Sequence, residues 1–346
     1  MSDAGAERWG RFERLAVALP RGALVVADRR VLRLHPRVRA ALNGHDVLAV
    51  HAGERLKSMR SLERVLGRMV GRTREGFLVA LGGGTVTDLC TVAAHLASRG
   101  VPLLHVPSTL LAAVDASVGG KGAVNLEVAG AQVKNAAGVF HPATATWLCP
   151  ELFATLSPRQ VREGRIEAWK MALCLDGRRA RAWAGRNPRV REWLAAGRAL
   201  KQRVCARDPF ERGAHRVLLN FGHTIGHALE THTGFRLSHG DAVGLGMLAA
   251  LDVGRALRVT PAAAADEAER GLLGGAGVLP RAALARALDG LELRALERLL
   301  AADKKRRARD VCRMVLLERV GRAGVYSVPA EVPGRLLRAW RRGVRP

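Results

Sequence analysis

A chain of 346 residues, 48% of them hydrophobic, has the length for two domains that each bury a core of their own. Its 56 lysines and arginines against 31 acidic residues leave a formal charge of +25, which draws polyanions and small anionic substrates alike. One tyrosine and seven phenylalanines are too few to build stacking platforms, which argues against a specific nucleic-acid function.

Taken in chain order, the N-terminal "MSDAGAERWGRFERLAVALP" carries charges throughout and has no apolar run, so no secretory signal is expected. From residue 23 to about 106, the β-rich runs "ALVVAD", "DVLAVH", "GFLVAL" and "PLLHVP" alternate with amphipathic stretches. That alternation is the pattern of a parallel sheet with covering helices. "VPLLHVPSTLLAAV" is too short and too proline-rich to span a bilayer, so no membrane partner is expected. A last short strand, "TATWLCP", ends near Pro150. Beyond "SPRQ" at 157–160 the period turns helical almost to the end, with little strand, and the alanine- and arginine-biased 260–310 reads as solvent-washed helix. The expected organisation is an α/β domain over 1–150 and a mainly helical one over 151–346. Five scattered cysteines without a CxxC pair read as reduced thiols of a cytoplasmic protein. "DKKRRAR" at 303–309 and "RLLRAWRRGVRP" at the C-terminus invite weak, salt-sensitive adhesion to nucleic acid and nothing more specific.

Two stretches carry chemistry. "FLVALGGGTVTDLCTVAAHLASRG" reads strand, glycine turn, helix, with Gly82, Gly83 and Gly84 at the turn. Backbone amides freed there, together with the helix dipole, make a seat for phosphate, although a turn of purely structural purpose fits the residues equally well. Thr87 stands where the usual dinucleotide fingerprint wants glycine or alanine. Upstream, "HAGERLKS" carries Glu54 and Lys57, a polar pair suited to ribose and phosphate or simply to water.

The second stretch, "NFGHTIGHALETHTGFRLSHGD", holds four of the eleven histidines. His223 and His227, four apart on a helix, present both imidazoles on one face as a chelating pair would. His232 should face away, and His239, past a helix stop at Gly234, can return from a loop as a third nitrogen ligand. Gly222 and Gly226 allow close approach of a backbone or ligand. The missing carboxylate has a candidate in "REGRIEAWKMALCLD", where Glu167 and Lys170 share a helix face; an ordinary surface ion pair explains that spacing as well.

Together with "RGVPLLHVPSTLLAAVDASVGGKGAVN", "KNAAGVFHP", "EGRIEAWK", "LNFGHTIGHALE", "SHGDAVGLGM" and "DKK", the glycine turn "GGGTVTD" gives the chain an order of motifs that resembles 3-dehydroquinate synthases over roughly residues 53 to 305. The resemblance implies NAD in a Rossmann-like first domain, a divalent metal, zinc or cobalt, in a helical second one, and a small anionic sugar phosphate substrate in the cleft between them. It also implies a homodimer. By resemblance Glu167, His223 and His239 are the metal ligands, and His227 is a neighbouring active-site histidine, which replaces the chelating pair read from spacing. Glu54, Lys57, Gly83, Gly84, Thr85, Val86, Thr87, Asp88, Ser108 and Thr109 fall on dinucleotide-binding positions. Arg99, Asp115, Lys121, Lys134, Asn135, Lys170, Lys201, Arg216, Asn220, Lys304 and Lys305 fall on positions that line the substrate pocket or bridge to the nicotinamide. The implied reaction is transient oxidation, phosphate elimination, reduction and intramolecular aldol closure; other sugar phosphate cyclases share that chemistry on different substrates. The sequence departs from the pattern in a longer loop at "LEVAGAQV", in Gly122 for a common threonine, in Thr87, and in Glu211 one place out of register with Arg216.

Overall fold

The computed structural model describes residues 6–72, 76–128, 130–186, 188–213, 215–234, 236–274, 279, 311–329 and 331–341. Lys304, Lys305 and most of the 260–310 segment lie outside them. The chain divides into two compact units, Met1–Val161 and Arg162–Pro346.

In the first unit the strands are β1 (Ala6–Trp9), β2 (Leu24–Asp28), β3 (Asp46–Val50), β4 (Leu78–Gly82), β5 (Leu103–Pro107), β6 (Lys121–Val128), β7 (Ala131–Phe140) and β8 (Ala145–Leu148). Helices α1 (Phe12–Ala18), α2 (Arg29–Leu34), α3 (Pro36–Ala41), α4 (Met59–Met69), α5 (Gly84–Leu96) and α6 (Pro150–Phe153) connect them. Six strands, all parallel, form one sheet in the order β1-β8-β5-β4-β2-β3. Its central strands are buried on both faces, which is why "LVVA" and "LVAL" read as unbroken apolar runs and not as alternating ones. Alternate residues feed two cores: Leu24, Val26, Leu78 and Ala80 pack with Leu62, Val65, Val86 and Leu89, while Val25, Ala27, Val79 and Leu81 pack with Phe12, Leu15 and Val38. The strand order reverses between β2 and β4, and the glycine turn leaves the end of β4 at that reversal, where open parallel sheets bind their ligands.

The segment 126–133, read from the sequence as a lengthened loop, is instead the tip of an antiparallel hairpin in which Val128 pairs with Ala131. Cross-strand pairing satisfies its backbone groups in a way that the alternation of small and polar residues did not advertise. The register slips between Val124 and Leu126, so Asn125 sits on a bulge that re-aims its side chain. Gly122 has no room for the usual larger residue, since a Cβ there would stand 2.4 Å from Thr91 Cβ and 2.8 Å from the Asp88 carbonyl.

The second unit is mainly helical: α7 (Pro158–Leu175, which begins in the first unit), α8 (Gly177–Ala184), α9 (Val190–Arg207), α10 (His223–His232), α11 (His239–Ala256), α12 (Ala262–Leu273) and α13 (Glu331–Arg341). It also contains a strand pair the helical period hides, β9 (Val311–Arg319) and β10 (Arg322–Pro329), which corrects the expectation of little strand. The run "VCRMVLLERVGRAGVYSV" holds that hairpin, turning at Gly321 with φ of +93°. Helix α11 is buried over Gly240–Gly254, and its Asp252 is paired by Arg255 and by the Trp340 indole of α13 at 2.9 Å.

Helices α10 and α11 meet backbone to backbone. A Cβ on Gly246 would lie 1.9 Å from the Gly222 carbonyl oxygen, and Gly222 itself turns into α10 at a φ of +78°. Gly240 serves the third partner, because a Cβ there would lie 2.6 Å from Glu163 Cα on α7. A bidentate pair from Arg162 to the buried Asp241, at 3.0 and 3.2 Å, ties the same two helices. Gly246→Ala is expected to destabilise the protein by about 1–3 kcal/mol through overpacking; a urea midpoint unchanged from that of the parent chain would contradict this close contact.

Candidate active site

In the second unit Glu167 and Lys170, one helical turn apart on α7, are 0% and 2% exposed, so they are not the surface pair that spacing alone allows. Lys170 Nζ donates a short hydrogen bond to Glu167 Oε2. The other oxygen, Oε1, is buried without a hydrogen-bond partner among the described residues. It lies 3.7 Å from His223 Nε2 and 3.6 Å from His239 Nε2. Each imidazole presents that nitrogen because its other one is engaged: His223 Nδ1 lies 3.3 Å from the Phe221 carbonyl, and His239 Nδ1 lies 3.3 Å from Glu230 Oε2. Both acceptors lack a proton to give, so each Nδ1 is the donor.

An orphaned buried carboxylate oxygen facing two ring nitrogens is costly as it stands, and it fits a divalent cation. Tetrahedral zinc with bonds of about 2.0–2.1 Å places its ligand atoms roughly 3.3 Å apart. The three atoms here all lie within 4.8 Å of one another. His227, exposed, stands beside them with its ring 5.2 Å from that of His223 and 6.1 Å from that of His239; it shares a second cluster with Glu230 and His239. The pair His223 and His227 is therefore not what converges on Glu167, and His239 begins a helix where the sequence predicted a loop.

The protonation states follow from the same contacts. Burial pushes the Glu167 carboxyl up, but Lys170 and His239 more than reverse this and hold it down at about 2. Burial, with Lys170 nearby, pushes His223 well below the usual histidine range. For His239 burial acts downward too, yet the Glu167 and Glu230 carboxylates override it and raise the imidazole to about 10.

In the same unit Lys201 and Arg216 are buried on α9 and on the 3-10 turn Arg216–Asn220, which ends at Asn220 just ahead of α10. Arg216 donates to the Pro209 carbonyl at 2.7 Å. Sequence reasoning missed Asp208, whose carboxylate accepts from the amides of Arg212, Gly213 and Arg216 at 2.9, 3.1 and 3.2 Å and so shapes the loop. Glu211 in that loop has a φ of +53°.

In the first unit Glu54, Lys57 and Asp88, three of the dinucleotide candidates, belong to one polar network with Asn125, Lys134 and Asn135. Lys57, 5% exposed, bonds Asp88 at 2.7 Å and makes a short hydrogen bond to Asn135. Asn125, also missed, links both ends, donating to Glu54 at 2.8 Å and accepting from the Asn135 amide at 2.8 Å. Lys134 approaches Glu54 at 4.0 Å, and the Gly53 amide donates to Thr85 Oγ1 at 3.1 Å. Gly83 and Gly84 open α5, with Val86 buried beneath; Thr87 is buried and its hydroxyl donates to the Gly84 carbonyl at 2.9 Å, bracing the turn from within. Ser108 follows β5, its amide bonding Gly82 at 2.9 Å, and Thr109 Oγ1 caps the next turn through the Ala112 amide. Asp115 lies in the short π-helix Ala112–Ala116, and Lys121 Nζ sits 5.9 Å from the centroid of the Phe140 ring. Arg99 and Asn135 hold φ of +66° and +51°, conformations uncommon outside glycine that gather at functional sites.

Because Glu167 is already ionised and His223 already neutral, only His239 has a proton to lose when a cation takes its Nε2. Metal binding between pH 6 and 8 is expected to release close to one proton, and affinity to rise about tenfold per pH unit. Calorimetry in two buffers of different protonation enthalpy checks this; identical heats in both would contradict it.

Comparison with known proteins places the chain among relatives of similar sequence and fold. The model described as 3-dehydroquinate synthase N-terminal matches residues 47–163, and that described as 3-dehydroquinate synthase C-terminal matches 164–306. A 3-dehydroquinate synthase of Gloeobacter violaceus is 36% identical over 353 residues, covering 97% of this chain and 94% of that protein. A 2-epi-valiolone synthase of Actinosynnema mirum is 37% identical over 252 residues, 68% of this chain and 65% of its own. Among solved structures, 2-deoxy-scyllo-inosose synthase complexed with carbaglucose-6-phosphate, NAD+ and Co2+ shares the fold at a TM-score of 0.82 and 23% identity, over 96% of each chain.

Proposed function

The chain belongs to the 3-dehydroquinate synthase family, and on that premise we propose that it converts 3-deoxy-arabino-heptulosonate 7-phosphate to 3-dehydroquinate and phosphate, a carbon–oxygen lyase step of the shikimate pathway dependent on NAD and a divalent metal. The observation that carries the reading is Glu167 Oε1, buried without a hydrogen-bond partner and faced by two histidine nitrogens. When bound, NAD accepts and returns a hydride, and zinc or cobalt supplies Lewis acidity toward the substrate oxygen being oxidised.

The residues then divide the work. Glu167, His223 and His239 hold the ion. Lys170, fixed against the far oxygen of Glu167, keeps that carboxylate ionised and offers its remaining protons to substrate oxygens beside the ligands. Glu54, Lys57, Thr85, Asp88, Ser108, Thr109 and the glycine turn seat the dinucleotide, with α5 directing its N-terminal amides at phosphate. Arg99, Asp115, Lys121, Lys134, Asn135, Lys201, Arg216 and Asn220 receive the anionic substrate, with Lys304 and Lys305 assigned by the resemblance. A substrate bearing carboxylate and phosphate needs such cations, since charge-assisted hydrogen bonds are about twice as strong as neutral ones. His227, exposed beside the ligand rings, is open to the substrate. The same reading makes the protein a cytoplasmic homodimer, which sedimentation of the purified chain tests.

A second reading, closure of a different sugar phosphate, is favoured by the match to 2-epi-valiolone synthase. Incubation with 3-deoxy-arabino-heptulosonate 7-phosphate, catalytic NAD and zinc or cobalt is expected to release phosphate without net NADH. NADH accumulating in step with product would refute a cyclase, and turnover only of a sugar phosphate lacking the carboxylate would favour the second reading.

His223→Ala is expected to lose bound metal and activity while circular dichroism shows the fold intact; a metal-replete, active variant would refute the ligand set. Lys170→Met should slow turnover about a hundredfold or more with NAD affinity unchanged by calorimetry. It also breaks the buried Lys170–Glu167 pair, a loss of about 3–5 kcal/mol in the metal-free protein.

A further inference from the structure

The two imidazoles that face Glu167 Oε1 are oriented by different means. His223 is held from behind by the Phe221 carbonyl, a neutral acceptor two residues away on the same chain segment. His239 is the first residue of α11, and its side chain is 34% exposed. Its Nδ1 instead lies 3.3 Å from Oε2 of Glu230, whose side chain is 10% exposed. Glu230 stands on α10 seven residues after His223, two helical turns along the same face, so the helix that begins with one imidazole also reaches the other.

We propose that Glu230 is a positioning residue for the metal centre: its carboxylate accepts the Nδ1 proton of His239, which fixes the ring plane and, once Nε2 has given up its proton to make way for a cation, the tautomer that leaves the Nε2 lone pair for that ion. A carboxylate accepts and does not donate, so this contact excludes the opposite tautomer, in which Nε2 would carry the proton and could bind no cation. The negative charge behind the ring also makes the imidazole a stronger donor to the ion than a carbonyl would. That role accounts for a carboxylate kept nearly buried on α10. The sequence carries a signal for it, since "HTIGHALE" sets His, His and Glu on one helix face.

This inference rests on the metal site proposed above, and the experiment separates the two. Apo protein is titrated with zinc against a chromophoric chelator, and the cobalt-loaded form is read by its visible spectrum, with circular dichroism as the control for folding. Glu230→Ala is expected to weaken zinc binding about 10–100-fold and to shift the cobalt bands. Glu230→Gln, whose amide oxygen still accepts the Nδ1 proton but carries no charge, is expected to fall between that variant and the parent. If His239→Ala binds zinc as tightly as the parent, the metal site itself is wrong. If His239→Ala loses zinc while Glu230→Gln and every folded Glu230→Ala sample keep parental affinity and cobalt spectrum, the role of Glu230 is wrong. A parent that binds two equivalents, reduced to one in either Glu230 variant, would also overturn it, by making Glu230 a ligand of a second ion with His227 and His239.

Discussion

The second unit is organised around one buried carboxylate. Glu167 is fully enclosed, and a carboxylate stays ionised in such a place only if both its oxygens are answered. Lys170 answers one; the other is left to two ring nitrogens that belong to different helices. Removing Glu167 would leave Lys170 and His239 without their common counter-charge, so the site and the stability of its surroundings are one problem. A cation held there, as proposed, would take the place of the His239 proton and join α7, α10 and α11 through their side chains.

That convergence requires helices closer than ordinary side chains permit. The contact of Gly246 on the Gly222 carbonyl and of Gly240 on the α7 backbone gives the approach, and the Arg162 fork on Asp241 holds α7 against the first turn of α11. The two histidines that face Glu167 are each the first residue of their helix. Close packing and functional geometry thus come from the same small residues.

The first unit solves a different problem with the same economy of means. A parallel sheet delivers the glycine turn to the point where strand order reverses, and a bulge in the β6–β7 hairpin brings Asn125 between Glu54 and Asn135. Lys57, enclosed between Asp88 and Asn135, ties the turn after β3 to α5 and to the hairpin. The network links three segments far apart in the chain, so the proposed dinucleotide side is preformed by hydrogen bonds where the proposed metal side is preformed by packing.

By itself the sequence determined the parallel sheet, the glycine turn at the start of α5, the helical character of the second unit and the residue types that could hold a metal, because each is a local pattern: an apolar run, a turn, a period, a spacing. Spacing even set Glu167 beside Lys170. It did not distinguish a surface ion pair from a buried one, nor choose His239 over His227 as the partner of Glu167, because burial and convergence depend on which helix lies against which. The hairpins β6–β7 and β9–β10, Asn125, Asp208 and the contact of Glu230 with His239 were likewise decided only in three dimensions. Strand pairing and hydrogen bonds between residues remote in sequence leave little trace in the local order of side chains, and they exist only once the chain has brought their partners within reach.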